Sequence, residues 1–592
     1  MKTIEDLNKE VVELYNEGKF NEAILVAEQA LTLAKSLHSG DHADVASSLN
    51  NLAALYDSQR HYSKAESFFQ QALEMRKRLF TGNHPDVALS LNNLAFFYKS
   101  QGLYGEAEPL LQQVLEMRER LFTGHHPDVA LSLNNLGLLY YSQRRYSEAE
   151  PLYKQTLEMY QRLFTGDHAD VATSLNNLGG LYYSQKRYSE AEPFYLQALE
   201  MRKRLFTGDH PDVAFSLNNL GGLYYFQGRY SEAEPLYKQV LEMRKRLFTN
   251  NNPDVAQSLN NLAEVYRSQR RYDEAEPLLQ QALEMYESLF TGDDPNVADI
   301  LHNLAFLYKS QGRYSEAEPL YKQTLEMYQR LFTGDHPDVA LSLNNLAEVY
   351  KFQGSYGEAE PLLQRALKMT QCLFTGDHPD VALSLNNLAF LYDSQGRDSE
   401  AEPLYIEALK IRQRLFTGDH PNVASSLNNL GGLYYFQGRY SQAEPILRQA
   451  LEMRQRLFTG DHPNVAQSLN NLASLHDSQG RDSEAEPLYL KALEMRQRLF
   501  TGDHPDVALS LNNLAFLYKS QGCYGEAEPL YLKALEMRQR LFTGDHPDMA
   551  QSLNNLGLLL AADKRPQSAF EKMHQAIEMD DRLIRRNFTF SS

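Results

Sequence analysis

The sequence predicts an all-α protein, a solenoid of antiparallel helix pairs, and two observations carry that fold class. An Asn-Asn pair stands at 50–51 and returns at 92, 134, 176, 218, 260, 344, 386, 428, 470, 512 and 554, on a spacing of 42 residues broken only by His302-Asn303. Within each 42-residue unit, apolar residues recur at steps of three and four in two separate runs, each too short to bury its stripe alone. One unit copied along the chain means a stacked array in place of several globular domains.

Residues 1–39 read as a variant first unit: Leu7, Val11 and Leu14 form one face, Gly18 breaks it, and Phe20, Ala23, Ala27, Ala30 and Leu31 form a second. Regular copies follow from Gly40, and the copy from Leu79 to Arg120 shows their logic. Pro85 suits a first helical turn, where its missing N–H has no partner to lose, and Asp86 sits at the positive end of the helix dipole. Val87, Leu91, Leu94, Ala95 and Tyr98 then give a front helix whose stripe ends near Gln101-Gly102. A second, back helix is expected to start at Gly105 or Glu106 and to run through Ala107, Leu110, Leu111, Val114, Leu115 and Met117 to about Phe122, where Thr123-Gly124 stops it. That start places Pro109 within the first turn, where a proline costs little.

These residues carry a resemblance. Leu94-Ala95, Tyr98, Gly102, Tyr104 and Ala107 resemble the tetratricopeptide repeat, and the 42-residue period with HPDVALSLNNLA is similar to its kinesin light chain subfamily. The resemblance implies a right-handed superhelix, here of fourteen helical hairpins, with the front helices lining a concave groove. Kinesin light chains carry a heptad coiled coil ahead of their repeats, whereas residues 1–39 are already a repeat. In the last unit Leu560 and Pro566 replace the two motif tyrosines, and the tail FEKMHQAIEMDDRLIRRNFTFSS resembles the junction to a caspase-like CHAT protease domain in bacterial sensor proteins. The expected division is a divergent first repeat at 1–39, twelve tandem repeats at 40–546, and a capping repeat with its tail at 547–592.

Composition narrows the partners. Lys+Arg of 58 against Asp+Glu of 77 leaves a formal charge of −19, which disfavours nucleic acid and anionic membranes. Cys372 and Cys523, the two cysteines, are too far apart in sequence for a disulfide framework and too few for a thiolate metal site, and both stand where other copies have other residues. No run of 18 apolar residues occurs, so a soluble, cytoplasmic protein is expected.

The copies differ at the positions of Leu89, Phe96 and Lys99, which share a helical face with the Asn pair. A fixed amide ladder beside varied side chains suits a peptide groove, with Asn93, Asn135, Asn177, Asn219, Asn261, Asn303, Asn345, Asn387, Asn429, Asn471 and Asn513 offered to a ligand's backbone. Two sub-sites are expected. Tyr141, Tyr183 and Tyr225 occupy consecutive copies, with Gly180 and Gly222 leaving room for an apolar or aromatic anchor. Arg267, Lys309 and Lys351 are also consecutive and, with Asn261, Asn303 and Asn345, resemble the carboxylate clamp of chaperone-binding tetratricopeptide domains; this implies acidic segments docking at 261–351. Glu264 with Arg267 and Glu348 with Lys351 are expected to pair at i,i+3.

The same residues argue against an enzyme. The histidine of GDHP, for example His210, His336 or His504, occurs once per copy along a ridge, whereas zinc ligands must converge within about 2 Å of one ion. No phosphate loop, GxSxG elbow or unrepeated His/Cys dyad appears. No catalytic residue, metal or cofactor is expected. The predicted role is a scaffold or sensor array for proteins or peptides; the alternatives are a regulatory array for a separate or lost effector such as a caspase-like protease, and a cargo adaptor of the kinesin light chain type.

Overall fold

The computed structural model describes residues 2–588 except 17, 18, 60, 249, 250, 291, 333, 375, 459, 501 and 543; the expected break at Gly18 lies outside the described residues. These residues form 28 α-helices in fourteen antiparallel pairs, with no strand among them. The pairs run from α1 (Ile4–Asn16) and α2 (Phe20–Leu37) to α27 (Pro547–Ala562) and α28 (Pro566–Phe588). From α3 (Ala43–Ser58) and α4 (Tyr62–Leu79) onward, each front helix has 16 residues and each back helix 18, up to the longer α28 of 23 residues. Two compact units result, Met1–Gly208 and Asp209–Ser592, each a stack of such pairs.

The GDHP string builds a helix start, and each residue has its own task. Before α25 (Pro505–Ser520), Gly502 takes a φ of 98°, in the left-handed region that glycine adopts without Cβ strain. Asp503 accepts two hydrogen bonds from the Arg540 guanidinium, at 2.6 and 3.0 Å, tying the loop to the end of the next back helix. His504 lies flat on Phe500, ring centroids 3.5 Å apart, and its Nδ1 accepts from the Asp506 N–H at 3.1 Å as the helix N-cap. Pro505 supplies the preset first turn. The same Asp–Arg bridge recurs at Asp209–Arg246, Asp419–Arg456 and Asp461–Arg498.

The back helices start earlier than expected. In α6 the first residue is Tyr104, not Gly105 or Glu106, and Leu121 is the last, so Pro109 falls at the sixth helical position, outside the first turn. Its missing N–H frees the Gly105 carbonyl; both residues are exposed to solvent, where an unpaired carbonyl costs little.

Small residues let the helices cross closely: a Cβ on Gly179 would lie 2.8 Å from the Tyr195 ring. Adjacent pairs are then pinned by polar bonds. The buried Arg496 at the end of α24 (Asp482–Leu499) donates to the Asp506 carbonyl at 3.0 Å and to Ser510 Oγ at 2.7 Å. The Tyr518 hydroxyl donates to Glu486 at 2.8 Å. A guanidinium with no carboxylate in hydrogen-bond reach is costly to bury, and burial holds the same arginine of two other copies, Arg412 and Arg454, near a pKa of about 10.

Within Asp209–Ser592 the chain also touches itself six repeats apart. The loop between α11 (Pro211–Phe226) and α12 (Tyr230–Leu247) meets the start of α23 (Pro463–Ser478). Gly228 is buried there, and a Cβ on it would lie 3.0 Å from Pro463 and 3.3 Å from the His462 ring, which also bonds the Phe226 backbone. Tyr230 packs on the core cluster of Phe500 and Val507. One copy later, Arg270 holds a left-handed φ of 60° and places Nη2 at 3.6 Å from Asp506. These docked loops are called lips below.

Candidate functional site

The asparagine ladder runs along the front helices, and most of its donors are used between copies. In several copies the second asparagine donates to the first asparagine of the preceding copy: Asn135 to Asn92 at 2.9 Å, Asn177 to Asn134 at 2.8 Å, Asn261 to Asn218 at 2.8 Å and Asn303 to Asn260 at 2.8 Å. Asn429, Asn471 and Asn513 repeat this with Asn386, Asn428 and Asn470 at 2.9, 2.9 and 2.7 Å. At the one interruption Asn345 meets His302 Nδ1 at 3.4 Å. Asn93, Asn219 and Asn387 hold the same place on their helices. The second asparagines are mostly half-buried; only Asn135 is buried outright among them. The ladder is thus a seam between copies.

The tyrosine sub-site is partly filled from within. Tyr141 shares a hydrogen bond with Ser184 of the next copy at 2.7 Å, Tyr225 accepts one from Ser268 at 3.0 Å, and the Tyr183 ring packs 6.0 Å from Tyr188. Beside Gly180 and Gly222 the space is bounded by back-helix hydroxyls: a Cβ there would meet Tyr195 Oη at 3.6 Å and Tyr237 Oη at 3.4 Å. Beside Gly432 it is open.

The cation sub-site resolves into unequal parts. Arg267 is held by Glu264 at 2.8 Å, as expected, and its guanidinium lies 4.1 Å over the Phe306 ring. Glu348 does not pair with Lys351: it reaches Lys309 of the preceding copy at 2.6 Å, while Lys309 also caps Phe306 at 4.3 Å. The reason is geometric, since the neighbouring front helix presents its ammonium at bonding distance while Lys351 turns toward an aromatic ring. Lys351 Nζ sits 3.6 Å above the ring of Phe390, which is 44% exposed. Burial lowers the Lys351 pKa to about 8, Glu348 opposing and Lys309 adding to the shift. Of the three cations, Lys351 is the one with no carboxylate at bonding distance among the described residues.

Two further features were not foreseen. Cys372 occupies the arginine position of the Asp–Arg bridge, so Asp335 has no such partner, and a cavity of about 490 Å³ lined by Asp335, Val339, Arg365, Lys368, Met369 and Cys372 opens there. The 37-residue Asp-to-Arg spacing was the signal that could have revealed it. The stacking of His38 on His42, with Asp44 beside them, is the second. His42 Nδ1 is already accepting the Asp44 N–H at 3.2 Å.

The family model for the tetratricopeptide repeat matches residues 13–78, 86–162, 145–204, 170–246, 254–330, 297–372, 338–413, 380–456, 442–498 and 506–582, and a second model of the same description matches 218–289. No curated protein matches the chain. Among solved structures, BtubC (BKLC) of P. vanneervenii is 24% identical over 39% of this chain and 94% of its own, with a TM-score of 0.36. A kinesin light chain-like protein of Podosopora anserina with nearly identical TPR-like repeats is 25% identical over 34% of this chain and 96% of its own, with a TM-score of 0.30. No described helix is long and apolar enough to cross a membrane. With repeat-model matches spread over nearly all of its length, the chain belongs to the tetratricopeptide repeat family.

Proposed function

We propose that this chain is a protein–protein interaction scaffold that binds extended protein segments along its front-helix face, with an acidic or acidic-aromatic residue of the partner placed at Lys351 and Phe390. The observation that carries this reading is the unequal use of the cations. Where Arg267 and Lys309 are held by glutamates of the array, Lys351 has only ring contacts, to Phe352 and to the exposed Phe390. An ammonium at a half-buried aromatic surface has lost hydration without gaining a carboxylate, so a carboxylate brought by a ligand meets a cation already partly desolvated. The asparagine ladder supports the reading in a second way, since its bonds between copies fix the spacing of the variable positions on the same helical face. The regulatory-array and cargo-adaptor alternatives use the same face and differ in which protein supplies the segment.

The test compares wild type with K351Q/F390S, serine being the residue that another copy carries at the Phe390 position as Ser474. A fluorescence-polarisation panel of acidic peptides should show about tenfold weaker binding for the variant, the equivalent of ~1.4 kcal/mol. Proximity labelling with the same pair should lose the partners that use this face. Equal affinities together with an unchanged set of labelled proteins would remove Lys351 and Phe390 from the binding site.

A further inference from the structure

The lips of Asp209–Ser592 offer an internal comparison. Residues 221–231 and 431–441 have the same sequence, GGLYYFQGRYS. In the first segment the lip is docked: Gly228 is buried against His462 and Pro463, and Tyr230 lies on the core beneath the next helix start. In the second nothing lies within 4 Å of a Cβ built on Gly438, and Gly438 is exposed, though its φ of 72° matches the 75° of Gly228. Phe226 is 46% exposed and Phe436 81%, the most exposed large apolar side chain among the described residues. Identical residues in the same backbone conformation therefore present one satisfied and one unsatisfied contact surface.

The chain also repeats the other half of that contact. His462 and His504, under docked lips, are almost wholly buried. The equivalent His84, His126 and His336, each followed by proline, keep about a third of their side chains exposed (34%, 35% and 32%). We propose that the lip Phe436–Tyr440 is a docking surface for a His-Pro helix start of a second copy of this chain. The recognition is the one seen within the chain: a flat Phe–His–Pro surface against a glycine lip, and a tyrosine ring over the adjoining core. Because the two surfaces are different patches of one molecule, the association is heterologous and grows by head-to-tail addition instead of closing as a symmetric dimer.

Sedimentation velocity over the micromolar range tests this with the full chain. Wild type should rise above the 67.8 kDa of one chain as concentration increases. F436S/Y440D should remain at that mass; Ser394 with Asp398, and Ser478 with Asp482, already occupy these positions in other copies, so the fold accommodates both substitutions. In a background with Cys372 and Cys523 changed to serine, a G438C chain mixed with P85C, P127C or P337C chains should form a mixed disulfide with at least one of them. Position 438 accepts a side chain in this backbone conformation, as Arg270 shows at φ 60°. A mass of one chain at every concentration, undiminished association of F436S/Y440D, or cross-linking with none of the three partners would each overturn the proposal.

Discussion

An amide repeated along one helical face can bind a ligand or join one copy to the next, and for most of the ladder the distances show the second use. Asn135 is buried and gives its N–H to Asn92 at 2.9 Å, so Asn135→Ala leaves an acceptor without its donor and removes one stitch between copies. The expected loss is about 1 kcal/mol, read as a lower melting temperature together with faster amide exchange in α5 (Pro85–Ser100) and α7 (Pro127–Ser142). An unchanged melt and unchanged exchange would mean the stitch contributes nothing. The Asn period was plain in the sequence, but its partners were not, because they depend on how one copy registers against the next. Glu348 shows the same limit. The i,i+3 rule correctly paired Glu264 with Arg267, yet Glu348 went to Lys309 because the neighbouring helix competes for it.

For single elements, the helix starts were legible and their sensitivity to acid was not. His462 and His504 cap their helices and lie buried beneath the lips, and burial lowers both pKa values from 6.5 to about 4. His462 faces Arg454 and the Phe226 backbone; His504 faces Asp506, Arg270 and Arg496. A depressed histidine stays neutral when folded while the unfolded or undocked form takes up a proton. Its stability contribution is therefore intact above pH 6.5 and declines as pH falls toward 4, by roughly 3 kcal/mol for each histidine once both states are protonated. Hydrogen-exchange protection at residues 226–230 and 268–272, taken relative to the intrinsic rate at each pH, should fall over that interval. Protection that is flat from pH 7 to 4 would contradict this account. Pro109 was misplaced for a related reason: the proline suggested a helix start, but the tyrosine before it already packs as part of the helix.

Within each unit, contacts are mostly between neighbouring pairs, and in Asp209–Ser592 the lip contacts are superimposed six repeats on. Excising residues 379–420 joins His378 to Pro421 and removes one full period. The docked lip of Gly228 would then face the former His504-Pro505 start, and Arg270 would face His546-Pro547-Asp548, so the chemistry at both contacts is preserved. The shortened chain should retain its helical content per residue and a cooperative melt by circular dichroism, as near-equivalent copies allow. Removing 21 residues from the same place should not, because it joins a front helix to the wrong half of a unit.

By itself the sequence determined the helix pairs, their number, the turn residues and the family, because each follows from periodicity and local chemistry within 42 residues. It also placed the variable positions on one helical face. Only the tertiary structure decided which polar groups are taken up between copies, since an amide or ammonium is taken or left according to what the next copy brings within about 3 Å. The lips belong to that second class as well. Their partner lies six periods away, and two identical segments, one docked and one open, differ in nothing that the sequence of either can express.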